Sequence, residues 1–144
     1  MNSSFQHNIG SYVVPVTGIF PESASAGTIN GASIDRVAHN MPQSCVLHQV
    51  TGAETGAPTA ASVLTKLQHS PDNSTWSDYQ INSTVQETAA LTAANSENTA
   101  SIDLGGAYRY IRPVMIVSFT GGTSPAILAA ADIILGGERE LTAV

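Results

Sequence analysis

Residues 62–81 read SVLTKLQHSPDNSTWSDYQI and contain two strand-like runs separated by a turn. In the first run Val63, Thr65 and Leu67 fall on one face, and the intervening side chains fall on the other. A period of two residues is that of a β-strand. The run that begins at Trp76 alternates in the same way. The stretch therefore predicts two antiparallel strands joined by a short connection.

The residues between these runs are typical of a turn. Pro71 restricts its backbone to the dihedral of a first turn position, and Asp72 and Asn73 cap turns and tolerate left-handed backbone geometry. Trp76 is the only tryptophan of the chain and follows this turn directly. Because buried aromatic rings contribute strongly to packing, we expect Trp76 to cover the end of the core rather than to form a ligand platform.

Further strand candidates occur on both sides of this region. Residues 108–119, YRYIRPVMIVSF, are apolar on both faces, and Pro113 within them predicts an edge strand or a bulge. Residues 126–137 also predict a strand, although their alanines allow a helix. The alanines of residues 84–95 permit a helix too, but their Thr and Ser residues favour strand or loop. Short strands separated by Gly, Pro and Asn turns at intervals of roughly 8–12 residues predict an all-β fold. We expect an antiparallel β-sandwich or barrel.

The N-terminal region differs in composition from the rest. Its apolar run SYVVPVTGIFP is interrupted by Pro15, Gly18 and Pro21, which disfavours a helix. We therefore predict an extended arm over residues 1–27, followed by a β-sandwich domain over residues 28–144. Such an arm covers the sheet of its own domain or reaches a neighbouring molecule.

The chain is acidic and poor in charge, with a formal net charge of −6 and 11% charged residues. Binding to nucleic acid or to an anionic membrane requires clustered positive charge, so we expect neither partner. The N-terminus lacks the pattern of a secretory signal, and no segment approaches the roughly 20 apolar residues of a membrane helix. A surface with few charges is common in proteins that pack against neighbours, and also in soluble β-sandwiches.

Residues with catalytic or metal-binding chemistry are sparse. Cys45 is the only cysteine, so it excludes an intrachain disulfide and is predicted to be a small buried apolar residue. The histidines lack metal-ligand spacing, and a two-histidine site of His48 and His69 is only a weak alternative. No serine lies in a nucleophile elbow, and most acidic residues lie beside turns. We expect no enzymatic activity, no cofactor and no metal.

One cluster combines cationic and aromatic residues. Arg109 and Arg112 lie beside Tyr108 and Tyr110 in the first part of the longest strand candidate. Arginine and tyrosine are enriched at the energetic centres of protein interfaces, so Arg109 and Arg112 are candidate interface residues. The alternative is a strand with solvated arginines and a tyrosine packed on the core.

Three segments together resemble a group of small virion proteins of tailed bacteriophages. They are KLQHSPDNSTWSDY (66–79), SIDLGGAYRYIRPVMIVSFTGGTSP (101–125) and AADIILGG (130–137). In that group a Q-H-S-x-D-x-S-x-W turn precedes a D-L-x-G-x-x-R-Y-(I/V)-R strand, an F-T-G-G-T-S-P turn and a strand ending in L-G-G. The matching residues are Gln68, His69, Ser70, Trp76, Asp103, Leu104, Arg109, Tyr110, Arg112 and residues 119–125.

The resemblance implies a capsid decoration (cement) protein of the phage head. Such proteins are compact β-sandwiches or jelly rolls, often trimers, that are made in the bacterial cytoplasm and bind the major capsid protein on the outside of the virion. The resemblance does not extend to the first 60 residues. We predict that contacts to the capsid or to a neighbouring copy are made by apolar residues of the N-terminal region, namely Phe5, Ile9, Tyr12, Val13 and Val14.

Other functions stay open at this point. A carbohydrate-binding or receptor-binding module would use Trp76 and Tyr79 as a surface on which a sugar ring stacks. A structural protein of the phage tail or neck would share the composition of a decoration protein. An enzyme is the third alternative.

Overall fold

The computed structural model describes residues 8–137, and this part of the chain is all-β, without an α-helix. The strands are β1 (Val13–Ser25), β2 (Gly27–Asn30), β3 (Ile34–Asp35), β4 (Ser44–Thr55), β5 (Ala60–Ser70), β6 (Ser77–Asp78), β7 (Gln80–Ile81), β8 (Thr84–Val85), β9 (Glu97–Asp103), β10 (Tyr110–Thr120) and β11 (Ala126–Gly136). Two short 3₁₀ helices span Ile9–Ser11 and Arg36–His39. The described residues form no helix long and apolar enough to cross a membrane.

The long strands form two antiparallel sheets. Sheet I has the order β1-β11-β4-β9, and sheet II has the order β2-β10-β5-β6, with β3 also paired to β10. A separate small hairpin joins β7 and β8. The chain crosses repeatedly between the sheets, since β1, β4, β9 and β11 lie in one sheet and the strands between them lie mainly in the other. The prediction of an antiparallel β-sandwich is confirmed.

The strands around residues 62–81 form as their alternation predicts. β5 pairs with β10 in continuous register from Ala60–Thr120 to Ser70–Tyr110. Between β5 and β6 the Asp72 carboxylate accepts hydrogen bonds from the backbone N–H groups of Ser74 at 2.9 Å and Thr75 at 2.7 Å. These bonds lower the pKa of Asp72 to about 2, and the bond from Thr75 has the largest effect. The turn is held by its own carboxylate.

The longest strand candidate is central rather than an edge, which corrects the expectation drawn from Pro113. β10 lies between β5 on one side and β2 and β3 on the other. β2 pairs with β10 from Val114 onwards and β3 pairs with it only up to Ile111, so the missing N–H of Pro113 falls in the gap between these two short strands. The ring of Pro113 fits beside Gly18 only because this residue lacks a side chain. A Cβ at position 18 would lie 2.2 Å from the proline Cγ.

Much of the predicted N-terminal arm belongs to the sandwich. Residues 13–25 form strand β1, which pairs with β11 from Val13–Gly136 to Ser25–Ala126. Register shifts on both sides of Ile19 accommodate the irregular sequence that disfavoured a helix. An edge strand needs hydrogen bonds on one side only, so prolines are tolerated within it. Residues 1–7 lie outside the described residues.

Two apolar clusters fill the space between the sheets. One includes Leu47 of sheet I and Leu67 of sheet II, and the other includes Ile127 of sheet I and Met115 of sheet II. Cys45 is buried in the first cluster, as predicted, and burial raises the pKa of its thiol to about 12. Residues of both sheets thus form the core.

A buried polar contact lies between the two clusters along β4 and β5. Thr65 Oγ1 donates a hydrogen bond of 2.8 Å to Gln49 Oε1, and both residues are fully buried. Gln49 Nε2 donates to the backbone carbonyl of Ala89 at 2.9 Å. The hydrogen bond to Ala89 attaches residues 84–95, the region that the sequence left open, to the sandwich. This region is not helical and forms isolated bridges from Glu87 and Leu91 to β5.

Candidate interaction surface

The side of sheet I that faces away from the core carries exposed apolar residues. Along β11 the side chains alternate, so Ile127 and Ile133 enter the core while Leu128 is 48% exposed. On the neighbouring strand Val50 is 37% exposed. We call this surface the sheet I face, and it is formed mainly by Val46, His48 and Val50 of β4, Glu97 and Ser101 of β9, and Leu128, Ala130, Asp132 and Ile134 of β11.

Two shallow depressions lie on the sheet I face. The larger has a volume of about 360 Å³ and lies where β1 begins and β11 ends, with Val13, Val46 and Ile134 among its lining residues. The smaller has a volume of about 210 Å³ and is lined by residues that include Pro21 and Leu128. Both linings are mainly apolar, so this face offers two places where side chains of a partner can be buried.

A polar group separates the apolar parts of this face. His48 Nε2 lies 2.9 Å from Glu97 Oε2, and His48 Nδ1 lies 3.8 Å from Asp132 Oδ2. The three residues come from adjacent strands, because β4 pairs with β11 on one side and with β9 on the other. The imidazole therefore lies between two carboxylates, and the side chains of Glu97 and Asp132 are 71% and 40% exposed.

The side of sheet II that faces away from the core is organised differently. Lys66 Nζ lies 2.8 Å from Asp78 Oδ2, and Gln68 Nε2 donates to Asp78 Oδ1 at 2.9 Å. Arg112 donates through Nη2 to Gln68 Oε1 at 2.8 Å, and its guanidinium lies 4.3 Å from the ring centroid of Trp76. We call this series the sheet II ladder. The hydrogen bond from Lys66 is the main cause that lowers the pKa of Asp78.

The predicted cationic-aromatic cluster divides into two separate contacts. Arg112 belongs to the sheet II ladder, whereas Arg109 forms two hydrogen bonds with the Asp35 carboxylate, at 2.9 and 2.7 Å. The Arg109 guanidinium also lies 5.0 Å from the ring centroid of Tyr110. Its hydrogen bond is the largest cause that lowers the pKa of Asp35. Both arginines thus contact groups of their own chain, and an interface role for them stays a prediction.

The N-terminal candidates lie at the start of sheet I, except for Phe5, which is outside the described residues. Ile9 is 64% exposed in the first 3₁₀ helix, and Tyr12 is half-buried beside it. Val13 lines the larger depression, and Val14 is half-buried in β1. These residues therefore lie in or just before sheet I, whereas the arginine candidates lie in or just before β10 of sheet II.

Phe20 was not predicted as a site residue, although it is 71% exposed. It lies in β1 between Ile19 and Glu22, where the register of β1 against β11 shifts. The sequence signal for the exposure of Phe20 is its position between Gly18 and Pro21. A β-bulge next to a proline re-aims side chains away from the regular alternation.

Arg36 is a second residue that sequence analysis missed. Its side chain is 1% exposed, and it donates hydrogen bonds to the backbone carbonyls of Pro42 at 2.7 Å and Ala107 at 2.6 Å. It thereby connects the loop after β3 with the loop before β10. No pattern in the sequence distinguishes a buried arginine of this kind from an exposed one.

The aromatic surface considered for carbohydrate binding is not formed. Tyr79 is 3% exposed, lies in the first apolar cluster, and donates its hydroxyl to the Asp103 carbonyl at 2.7 Å. Trp76 is half-buried and belongs to neither apolar cluster, which corrects the expectation that it covers the end of the core. Arg112 lies over its ring instead. Trp76 and Tyr79 therefore do not present a common face to a sugar.

The two-histidine alternative is not supported by the positions of the residues. His48 lies in β4 of sheet I, and His69 lies in β5 of sheet II. His69 stacks on Tyr108 with ring centroids 4.3 Å apart, and burial lowers its pKa. Residues 8–137 contain no group of three or more His, Cys, Asp or Glu side chains arranged to hold a metal ion.

Comparisons with solved structures include two matches with low scores. The SPBc2 prophage-derived protein YomS shares 14% identity with a TM-score of 0.38, over 86% of this chain and 95% of that one. A structure of infectious bursal disease virus strain Gx shares 12% identity with a TM-score of 0.40, over 90% of this chain but only 33% of that one. At these scores the similarities establish neither a family nor a function. No family model and no curated protein matches the sequence.

Proposed function

We propose that the protein is a decoration protein of a bacteriophage head, which binds the major capsid protein on the outside of the assembled shell. The observation that carries this proposal is the sheet I face, where apolar depressions and exposed apolar side chains such as Leu128 lie beside carboxylates. Exposed apolar surface that is concentrated on one face is typical of binding sites. The sequence resemblance to phage virion proteins is the reason for proposing the major capsid protein as the partner.

The strand orders of the two sheets support this proposal. The orders β1-β11-β4-β9 and β2-β10-β5-β6 support the jelly-roll form of the proposal, because the chain crosses repeatedly between two four-stranded rows as it does in jelly rolls. Jelly rolls occur in viral capsid proteins and in lectins. The absence of a common Trp76–Tyr79 surface disfavours the lectin alternative in the form that the sequence proposed.

The proposed mechanism is adhesion without chemistry on a substrate. A protein that binds only the assembled shell stabilises that state by mass action. Many equivalent sites on one shell add their contributions, and a homotrimer would link several capsid subunits at once. We propose that the apolar N-terminal residues, including Ile9 and Val13, extend the same contact surface, because Val13 lines the larger depression and Ile9 is exposed four residues before it.

Co-sedimentation with expanded shells tests the proposal. The shells are assembled from the major capsid protein encoded nearest to this chain, and the bound protein is counted per shell. We expect saturable binding and a higher melting temperature of the decorated shells. Protein that stays in the supernatant at all concentrations would contradict the proposal. Cryo-EM of particles that contain the protein distinguishes the head surface from the tail or neck.

Removing residues 1–11 tests the contribution of the N-terminal region separately. This truncation ends before β1 begins at Val13, so the pairing of β1 with β11 remains. We expect the truncated protein to fold with the wild-type circular dichroism spectrum and to bind shells at least several-fold more weakly. Unchanged binding by the folded truncation would restrict the contact to the sheet I face.

A further inference from the structure

The charged residues of the molecule are distributed unevenly between the sheets. The four strands of sheet I contain no lysine or arginine, and their acidic residues are Glu22, Glu54, Glu97, Asp103 and Asp132. Lys66 and Arg112 lie in sheet II, and Arg36 and Arg109 lie in segments that adjoin it. The sheet I face is therefore acidic, while the basic residues of the described chain lie elsewhere.

The lysine and arginine side chains within residues 8–137 also form ion pairs or hydrogen bonds inside the molecule. Lys66 pairs with Asp78 at 2.8 Å, and Arg109 pairs with Asp35 at 2.7 Å. Arg112 donates to Gln68, and Arg36 donates to buried backbone carbonyls. Recruiting any of them to a second copy would break one of these contacts. The described chain thus lacks a ready cationic complement to its own sheet I face.

A partner that covers the sheet I face meets a specific electrostatic requirement. Glu97 and Asp132 share one nearby imidazole, that of His48, at 2.9 and 3.8 Å. Removing two carboxylates from water is costly unless cations pair with them. A purely apolar partner would leave these groups uncompensated between the two depressions. A partner with lysine or arginine at this position would compensate them.

We propose that the sheet I face docks a mixed basic and apolar patch of the partner, with lysine or arginine side chains over Glu97 and Asp132 and apolar side chains in the two flanking depressions. The inference rests on the proposed function, which makes the partner a capsid subunit in the assembled shell. It adds the chemistry of the contact: the complementary patch is cationic at its centre and apolar on both sides. Charge pairs of this type set the association rate and the salt dependence of binding.

The test compares shell binding of Glu97→Gln, Asp132→Asn and the double variant with a matched control, Glu87→Gln. Glu87 is exposed like Glu97 but lies beside β5 of sheet II, so its substitution makes the same change in charge on the other side of the molecule. Binding to the expanded shells is measured by co-sedimentation at low and high salt. We expect the double variant to bind roughly ten-fold more weakly at low salt and to lose much of its salt dependence. Glu87→Gln is expected to bind as wild type does.

The outcomes separate the inference from the function on which it rests. Equal binding and equal salt dependence of the double variant and wild type would overturn the inference and leave the decoration function in place. Failure of wild type to bind the shells would overturn both. Light scattering of the free protein provides a further check, because a molecular mass that decreases in the double variant would identify a second copy as the occupant and contradict the inference.

Discussion

The outer surfaces of the two sheets use their polar side chains in opposite ways. On sheet II, Lys66, Asp78, Gln68 and Arg112 form a continuous series of hydrogen bonds that ends on the ring of Trp76. On sheet I, acidic side chains have only His48 as a basic partner within 4 Å among the described residues, and apolar depressions lie beside them. The polar side chains of the sheet II ladder form their hydrogen bonds with one another, whereas the sheet I face is suited to an external partner.

This contrast predicts that substitutions on one surface affect stability and substitutions on the other affect binding. A polar group that is satisfied within the molecule stabilises the fold, and its removal leaves other groups without partners. Exposed groups that lack such partners contribute little to folding and remain available for binding. Substitutions on the sheet II ladder should therefore lower the free energy of unfolding, and substitutions on the sheet I face should weaken association.

The largest expected effect is on binding, from Leu128→Asp on the sheet I face. An additional carboxylate beside the smaller depression removes apolar contact and adds repulsion, so we expect shell binding to fall by at least ~10-fold. The free energy of unfolding should change by less than about 1 kcal/mol because Leu128 is 48% exposed. The matched control is Ile116→Asp, since Ile116 is 38% exposed on β10 of sheet II. Equal loss of binding in both variants, measured by co-sedimentation, would remove the distinction between the faces.

The second prediction concerns Arg112→Ala, which interrupts the sheet II ladder. It removes the hydrogen bonds to Gln68 and the contact with the Trp76 ring, so we expect a loss of about 1–2 kcal/mol in the free energy of unfolding. Asp132→Ala on the sheet I face should change it by less than about 0.5 kcal/mol. Urea denaturation measures both values. A larger loss for Asp132→Ala would reverse the assignment of structural and binding roles.

The third prediction is a dependence of stability on acid pH that arises in sheet II. Lys66 and Gln68 lower the pKa of Asp78 in the folded protein, so the folded state binds fewer protons than the unfolded state below about pH 4. The stability from this carboxylate is present above about pH 4 and is lost as the pH falls through the folded pKa. Asp78→Asn should therefore be less stable at pH 7 and lose less stability on acidification.

Asp72 also stabilises the folded protein in a way that is lost on acidification, and the hydrogen bonds of its turn set the pH range of that loss. Its pKa of about 2 in the folded protein means that its contribution is lost between about pH 4 and pH 2. Urea denaturation across this range measures the losses. Asp132→Asn serves as the control from the other face, and it should retain the acid dependence due to Asp78 and Asp72. Identical acid profiles for wild type and Asp78→Asn would contradict the role of the ladder.

The smallest expected effect is spectroscopic. Trp76 is the only tryptophan, and the Arg112 guanidinium covers its ring at 4.3 Å. Arg112→Ala exposes the indole to water, so we expect a small shift of the fluorescence emission to longer wavelength. Leu128→Asp should leave the emission unchanged because it lies on the other sheet. A shift in Leu128→Asp would mean that the two faces are coupled through the core.

Much of the fold follows from local patterns. The alternation in residues 62–68 and the turn chemistry of Asp72 predicted the β5–β6 connection, because strand period and turn geometry depend on neighbouring residues alone. The longest strand candidate, residues 108–119, became β10. The position of β10 could not be predicted from Pro113, since the gap between β2 and β3 that accommodates the proline forms only when distant segments pair.

The candidate surface was predicted only in part. Val13 was expected to make contacts, and it lines the larger depression, but the neighbouring residues of that depression come from strands far apart in the chain. His48, Glu97 and Asp132 were not recognised as a group because each is unremarkable in its own segment. Adjacent pairing of β9, β4 and β11 brings them together.

Composition and short-range order were sufficient to define an acidic all-β molecule with its turns in place and a buried thiol at Cys45. These properties depend on which side chains are present and on the few residues around each one. The distribution of charge between two faces, the incorporation of residues 13–25 as an edge strand, and the burial of Arg36 and Gln49 arose from pairing across long sequence separations. Such pairing sets which residues become neighbours, and the electrostatic environment of a side chain depends on its neighbours in space.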